Sequence, residues 1–261
     1  MISKLQISLN HPKAGTAIVW IAFFAIVLSA WAALFFMTMT SPLSGVPRDL
    51  WRALCGGAID TGLGALFAMW LIMAAAMMMP TFVPTLRVLL DLKHAGAARP
   101  TEALALVIGY GAIWVGGSLI GAVAQRFLAG LGLLAPDGSS LSLGLTAALL
   151  LGAAIYQFTP AKAACLARCR MPLTYFMERW APGLHQSLRM GLHLGVYCLG
   201  CCWAMMALAF VGGTMNLIWM GVATLFMVLE KLPEIGRPLT RPAGALLLAA
   251  SGLVMAMALT S

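Results

Sequence analysis

Sulfur is the functional chemistry that this 261-residue chain concentrates: 6 cysteines and 18 methionines, many set at helical spacings. Cys198, Cys201 and Cys202 fall within Cys-Leu-Gly-Cys-Cys-Trp. On a helix, offsets of three and four place Cys198 beside both others, so two or three sulfurs can converge on one ion. Met205 and Met206 lie a turn further on, and His193 and Tyr197 extend the same stripe in the other direction. Cys165 and Cys169 are again four apart, with Arg168 and Arg170 beside them to favour the thiolate form. Met69, Met73 and Met77 recur every fourth residue on one helical face, followed by Met78 and Met79. Thioether and thiolate sulfur are soft ligands suited to Cu(I), and thiolates with the histidine would also accept zinc. Each group has an ordinary account as well, because methionine is flexible core filler and free cysteine behaves as a small hydrophobe. Cys55, His11, His94 and His185 have no partner in the pattern.

The elements that must position these sulfurs follow from composition. Hydrophobic residues make up 62% of the chain and charged residues 9%, with a mean hydropathy of +0.95. A soluble domain carries about a quarter charged residues, so this chain reads as an all-α, polytopic transmembrane helix bundle. Apolar runs predict seven spans at about 15–38, 63–90, 101–128, 140–158, 189–211, 214–230 and 243–260. The first run is too long for the core of a cleavable signal and reads as a retained anchor. Pro80 and Pro84 should kink the second, and Gly212-Gly213 should reverse the chain between the fifth and sixth.

With the N-terminus inside and the C-terminus outside, 13 of the 16 Lys and Arg fall on the inner side. That is the bias the positive-inside rule expects, and it explains the net charge of +8 without nucleic acid. Residues 1–261 then form one transmembrane domain, with a short amphipathic cytoplasmic helix near 160–170 that starts at Thr159-Pro160. Lys162, Arg168 and Arg170 on that helix are expected near anionic headgroups. Glu230-Lys231 is expected as a local pair or a snorkelling helix end, and Asn216 as a hydrogen bond between helices.

Several stretches together resemble the DUF2182 family of bacterial membrane proteins, which is described only as predicted metal-binding. They are Ala-Met-Met-Met-Pro at 76–80, Tyr-Gln-Phe-Thr-Pro-Ala-Lys-Ala-Ala-Cys-Leu-Ala-Arg-Cys-Arg-Met-Pro at 156–172 and Cys-Leu-Gly-Cys-Cys-Trp at 198–203. Gly-Thr-Met-Asn-Leu-Ile-Trp-Met at 213–220 and Glu230-Lys231 complete the pattern. It runs from the second span to the sixth and departs at Ala161, where a bulkier aliphatic residue is expected. The resemblance implies a multi-pass protein of the bacterial inner membrane with a metal site, and carries no established reaction.

Soft-metal handling is therefore the leading expectation. Copper is the preferred ion and zinc the alternative, with Cys198, Cys201, Cys202, Cys165, Cys169, Met73, Met77 and His193 as candidate ligands. Ordered by depth, these sulfurs could form a ladder across the bilayer for transport, delivery or sensing. The alternatives are a membrane thiol–disulfide protein and a non-catalytic accessory subunit of a larger complex. No catalytic motif is recognisable. Expected partners are the lipid bilayer and either a metallochaperone or such a complex. A reporter fused after Ser261 should report the outer side, and one within 231–242 the cytoplasm. A cytoplasmic C-terminus would overturn the seven-span reading.

Overall fold

The computed structural model describes residues 14–38 and 62–260, which form ten helices. In chain order they are α1 (Ala14–Thr38), α2 (Leu63–His94), α3 (Pro100–Gly130), α4 (Leu143–Gln157) and α5 (Pro160–Arg170). There follow α6 (Pro172–Arg179), α7 (Leu184–Ala207), α8 (Ala209–Gly212), α9 (Leu217–Lys231) and α10 (Pro233–Thr260). Among the described residues no strand forms beyond an isolated bridge between Leu134 and Ser140. Cys55, His11 and the terminal and loop cations Lys4, Lys13, Arg48 and Arg52 lie outside the described residues.

Five helical stretches are long and apolar enough to cross a membrane: α1, α2, α3, α7 continued by α8, and α10. A sixth is added if α4 and α5, bent by 65° at their break, are one span. Helix α9 has 15 residues and rises about 22 Å, less than the ~30 Å of a hydrocarbon core. Length and apolarity thus support five or six spans where the sequence predicted seven.

Local signals set the helix ends. Thr159 accepts the Lys162 amide at 3.2 Å with Pro160 in the first turn, so α5 starts where the sequence placed it. Asn216 caps α9 by accepting the Trp219 amide at 3.1 Å, a bond within its own turn instead of one between helices. Helix α10 begins ten residues before the apolar run that announced it. Proline at its first position pre-sets helical φ, and the polar turns that follow extend the helix beyond its apolar part.

The tightest packing joins α3 to α7. A Cβ on Gly191 would overlap the Leu106 backbone, and one on Gly109 would overlap the backbone at Leu188 and Leu192. The two helices therefore meet backbone to backbone, as small residues allow in apolar bundles. Gly213, at φ +91°, opens the turn after α8, and α9 then runs back along α7. Gln125 ties this end together: it accepts from Trp70 Nε1 at 2.7 Å and donates to Thr214 Oγ1 at 3.4 Å.

Helix α2 lies at the centre, packed against α1, α3 and α9, and continues through both of its prolines. Pro80 has no N–H, so the carbonyl of Ala76 loses its helical donor. Trp31 of α1 supplies a replacement, its Nε1 donating to Ala76 O at 3.0 Å. Trp31→Phe should lower stability by ~1–3 kcal/mol by orphaning that carbonyl. In a Pro80→Ala background, where the amide returns, the same change should cost less. Thermal unfolding of the four proteins in detergent checks this, and equal costs in both backgrounds would refute it.

Candidate functional site

Helix α5 packs along α7, and this single contact joins two sulfur groups that are far apart in sequence. Cys169 Sγ lies 3.9 Å from Cys201 Sγ. Cys165 rests against the α7 backbone at Gly200, whose carbonyl also accepts from the Tyr156 hydroxyl. Cys201 and Cys202 both turn back toward the Cys198 carbonyl, at 3.1 and 2.9 Å. On its other side Cys202 reaches Met78 Sδ of α2 at 3.6 Å. The half-buried Cys169 and the buried Cys198, Cys201, Cys202 and Met78 thus form one neighbourhood drawn from three helices. All five described cysteines are free thiols.

Lys231 enters the same neighbourhood from the end of α9. It is 8% exposed, and its ammonium donates to Cys198 Sγ at 3.0 Å and to Thr81 Oγ1 at 2.8 Å. Thr81 can accept because its own proton goes to Met78 O at 2.8 Å. The Tyr110 hydroxyl of α3 completes the surroundings of Cys198 at 3.2 Å. A buried cation needs an opposite charge or a full set of acceptors. No carboxylate pairs with Lys231 among the described residues, so the sulfur of Cys198 faces it directly.

The neighbouring carboxylate is engaged elsewhere. Glu230 pairs with Lys162 of α5 at 2.9 Å, with both side chains almost fully buried. Arg170 donates from Nε to the Glu230 carbonyl at 2.9 Å, closing the end of α9, and from Nη2 to Thr240 at 3.2 Å. Two expectations change here. Lys162 points into the bundle instead of toward headgroups, and Glu230 and Lys231 diverge instead of pairing locally. Successive helical residues differ by about 100° in direction, so two adjacent charges on a packed helix find different partners. The arginines beside Cys165 and Cys169 are likewise committed, Arg168 to Glu178 at 2.9 Å.

The remaining predicted ligands lie apart from this group. Met73 and Met77 line a small cavity with Met205, Met206 and Met220, and no cysteine borders it. It is Met78, not Met77, that reaches Cys202. His193 lines a polar cleft with Tyr175, Glu178, Arg179 and Arg189. Among the described residues no three His, Cys, Asp or Glu side chains stand as a ready metal shell. The Cys169–Cys201 separation nevertheless suits a shared ion, since metal–sulfur bonds of ~2.3 Å set two sulfurs of a trigonal site about 4 Å apart.

Sequence reasoning missed Lys231, Thr81 and Tyr110 as members of the site. A signal for Lys231 was present, because Met220, Thr224, Met227 and Lys231 recur at offsets of four, three and four on one face of α9. All four are buried.

An all-helical bundle with several membrane-length apolar helices and a buried thiol–thioether cluster around one lysine defines a class suited to soft metal ions. The family comparison is more specific. A family model described as "PpoB2: Copper chaperone" matches residues 67–255, and the chain belongs to that family. Membership supports a copper-handling role. No curated protein and no solved structure matches the chain.

The buried Lys162–Glu230 pair anchors α5 and hence Cys169. Lys162→Met should destabilise the protein by ~3–5 kcal/mol, because it leaves a buried carboxylate unpaired. Lys162→Met with Glu230→Gln should recover much of that loss in thermal unfolding. A double variant no better than the single one would remove the pair from this role.

Proposed function

We propose that this protein is a membrane-embedded copper chaperone of the bacterial inner membrane. In this reading it takes up Cu(I) between Cys169 and Cys201, with Cys198, Cys202 and Met78 as exchange partners, and passes it to an acceptor protein or complex. The observation that carries the reading is the convergence of Cys169 on Cys201, 32 residues away, beside the buried ammonium of Lys231. The family match supports it further, since all the stretches that resemble the DUF2182 family fall within residues 67–255.

Charge balance favours a monovalent ion. Two thiolates, one Cu(I) and one ammonium sum to zero, whereas Zn(II) in the same place leaves an uncompensated positive charge in apolar surroundings. Cu(I), a d10 ion, is satisfied by two or three soft ligands, so it does not need the four-ligand shell of structural zinc. Adjacent sulfurs allow the ion to move by ligand exchange without being hydrated inside the bundle. The N-in, C-out orientation and a metallochaperone or larger membrane complex as partner belong to this proposal.

The Cys169–Cys201 contact also favours a second reading, thiol–disulfide exchange. Anaerobic purification with copper supplied separates the two. Wild type should retain copper, Cys201→Ser should lose most of it while still inserting and purifying, and Met78→Leu should show a smaller loss. Wild type without copper, but with Cys169 and Cys201 trapped as a disulfide after oxidation, would favour the redox reading.

A further inference from the structure

The cysteine neighbourhood leaves most of the buried methionines unexplained, and five of them meet elsewhere. Met73 and Met77 from α2, Met205 and Met206 from α7 and Met220 from α9 surround a cavity of about 10 Å³. All five are buried, and the rest of the lining is Trp219, Ala209 and Ala223, with no charged or titratable side chain among them. Helix geometry explains the meeting. Met73 and Met77 share a face of α2, Met205 and Met206 lie one turn beyond Cys202, and the turn at Gly213 brings Met220 back alongside them. Trp219 fixes the start of α9 there by donating from Nε1 to Leu208 O at 2.9 Å. Ala209 and Ala223 contribute only methyl groups, so small residues keep the space open while long thioethers surround it.

Methionine as mere filler has no need to gather from three helices around a shared space, because its flexibility lets it close gaps singly. Five methionine side chains lining one small neutral space offer soft thioether ligands suited to a soft monovalent ion. They carry no proton to displace and no charge to balance, so they would hold such an ion weakly and release it readily. Along α9 the chamber lies 11 residues from Lys231, about 16 Å at the helical rise. Along α7 it begins a single turn from Cys202. It is therefore separate from the thiol site and adjacent to it.

We infer that Met73, Met77, Met205, Met206 and Met220 form a second, all-thioether site for Cu(I) or Ag(I), serving as an antechamber to the cysteines. The antechamber role rests on the proposed copper function, whereas the binding site itself does not. Thiolate sites lose affinity in acid because protons compete for the sulfur, while thioethers have no proton to compete.

The full-length protein in mild detergent is titrated with Ag(I) and separately with Zn(II), near pH 5 and near pH 7.5, and bound metal is measured by mass spectrometry. Wild type should keep about one Ag(I) per chain in acid and bind no Zn(II) there. Met73→Leu with Met220→Leu, which preserves volume, should weaken acid-stable Ag(I) binding at least tenfold and leave Zn(II) binding near pH 7.5 unchanged. Met205→Leu serves as a second variant should that pair fail to fold, and Met257→Leu, exposed on α10, should change nothing. Cys201→Ser should retain the acid-stable ion. Loss of copper in Cys201→Ser with that ion kept supports both sites. Acid-stable Ag(I) binding that survives the methionine substitutions, or is missing from wild type, would overturn this site and leave the cysteine reading standing.

Discussion

The ammonium of Lys231, buried in an apolar bundle, constrains the rest of the structure. Such a charge costs several kcal/mol unless its donors are satisfied, and here the acceptors come from other helices. Thr81 of α2 and Cys198 of α7 take its hydrogen bonds, and Tyr110 of α3 supports Cys198 from the far side. Four helices must hold their register for that arrangement to exist. The glycine contact between α3 and α7 provides the register on one side by locking Gly109 and Gly191 against backbone. On the other side Pro80 places Thr81 one turn beyond the methionines, and the tryptophan of α1 repairs the carbonyl that proline leaves open.

A second charge pattern holds α5, the partner of the site, in place. Helix α5 is short, bent away from α4 and has Leu166 as its one large apolar side chain, so packing alone would hold it weakly. Its Lys162 enters the bundle to meet Glu230, and Arg170 closes the end of α9. Glu230 and Lys231 therefore divide one task between them: the first fastens α5, and the second faces the sulfur that α5 brings. Neither has to leave the low-dielectric interior, because each finds its counterpart there.

Sulfur is divided along the bundle in a way that matches this charge distribution. The thiols, which bind metal as anions, gather where an ammonium can balance them. The thioethers, which bind without ionising, gather where the lining is wholly neutral. Cys202 and Met78, in contact at 3.6 Å, stand at the boundary between the two. An ion crossing that boundary would exchange one soft ligand for another, and the charge it brings would be compensated only on the thiol side. On the proposed copper reading, that asymmetry would favour movement from methionine to cysteine.

By itself the sequence determined what is local. Apolar length located the long helices, though not all of their ends, Thr159-Pro160 marked the start of α5, and Gly212-Gly213 the reversal before α9, because backbone hydrogen bonding and turn geometry depend on neighbours a few residues away. The cysteine and methionine spacings identified the sulfur chemistry for the same reason. Only the tertiary structure decided which sulfurs meet. Cys169 joins Cys201, Met78 takes the place expected of Met77, and His193 faces a different cleft. Those outcomes depend on how far each helix is rotated about its axis, where one residue changes direction by about 100°. The same rotation sent Lys231 inward to a thiol and Glu230 to Lys162, a choice made by partners contributed from other helices and invisible in the order of the chain.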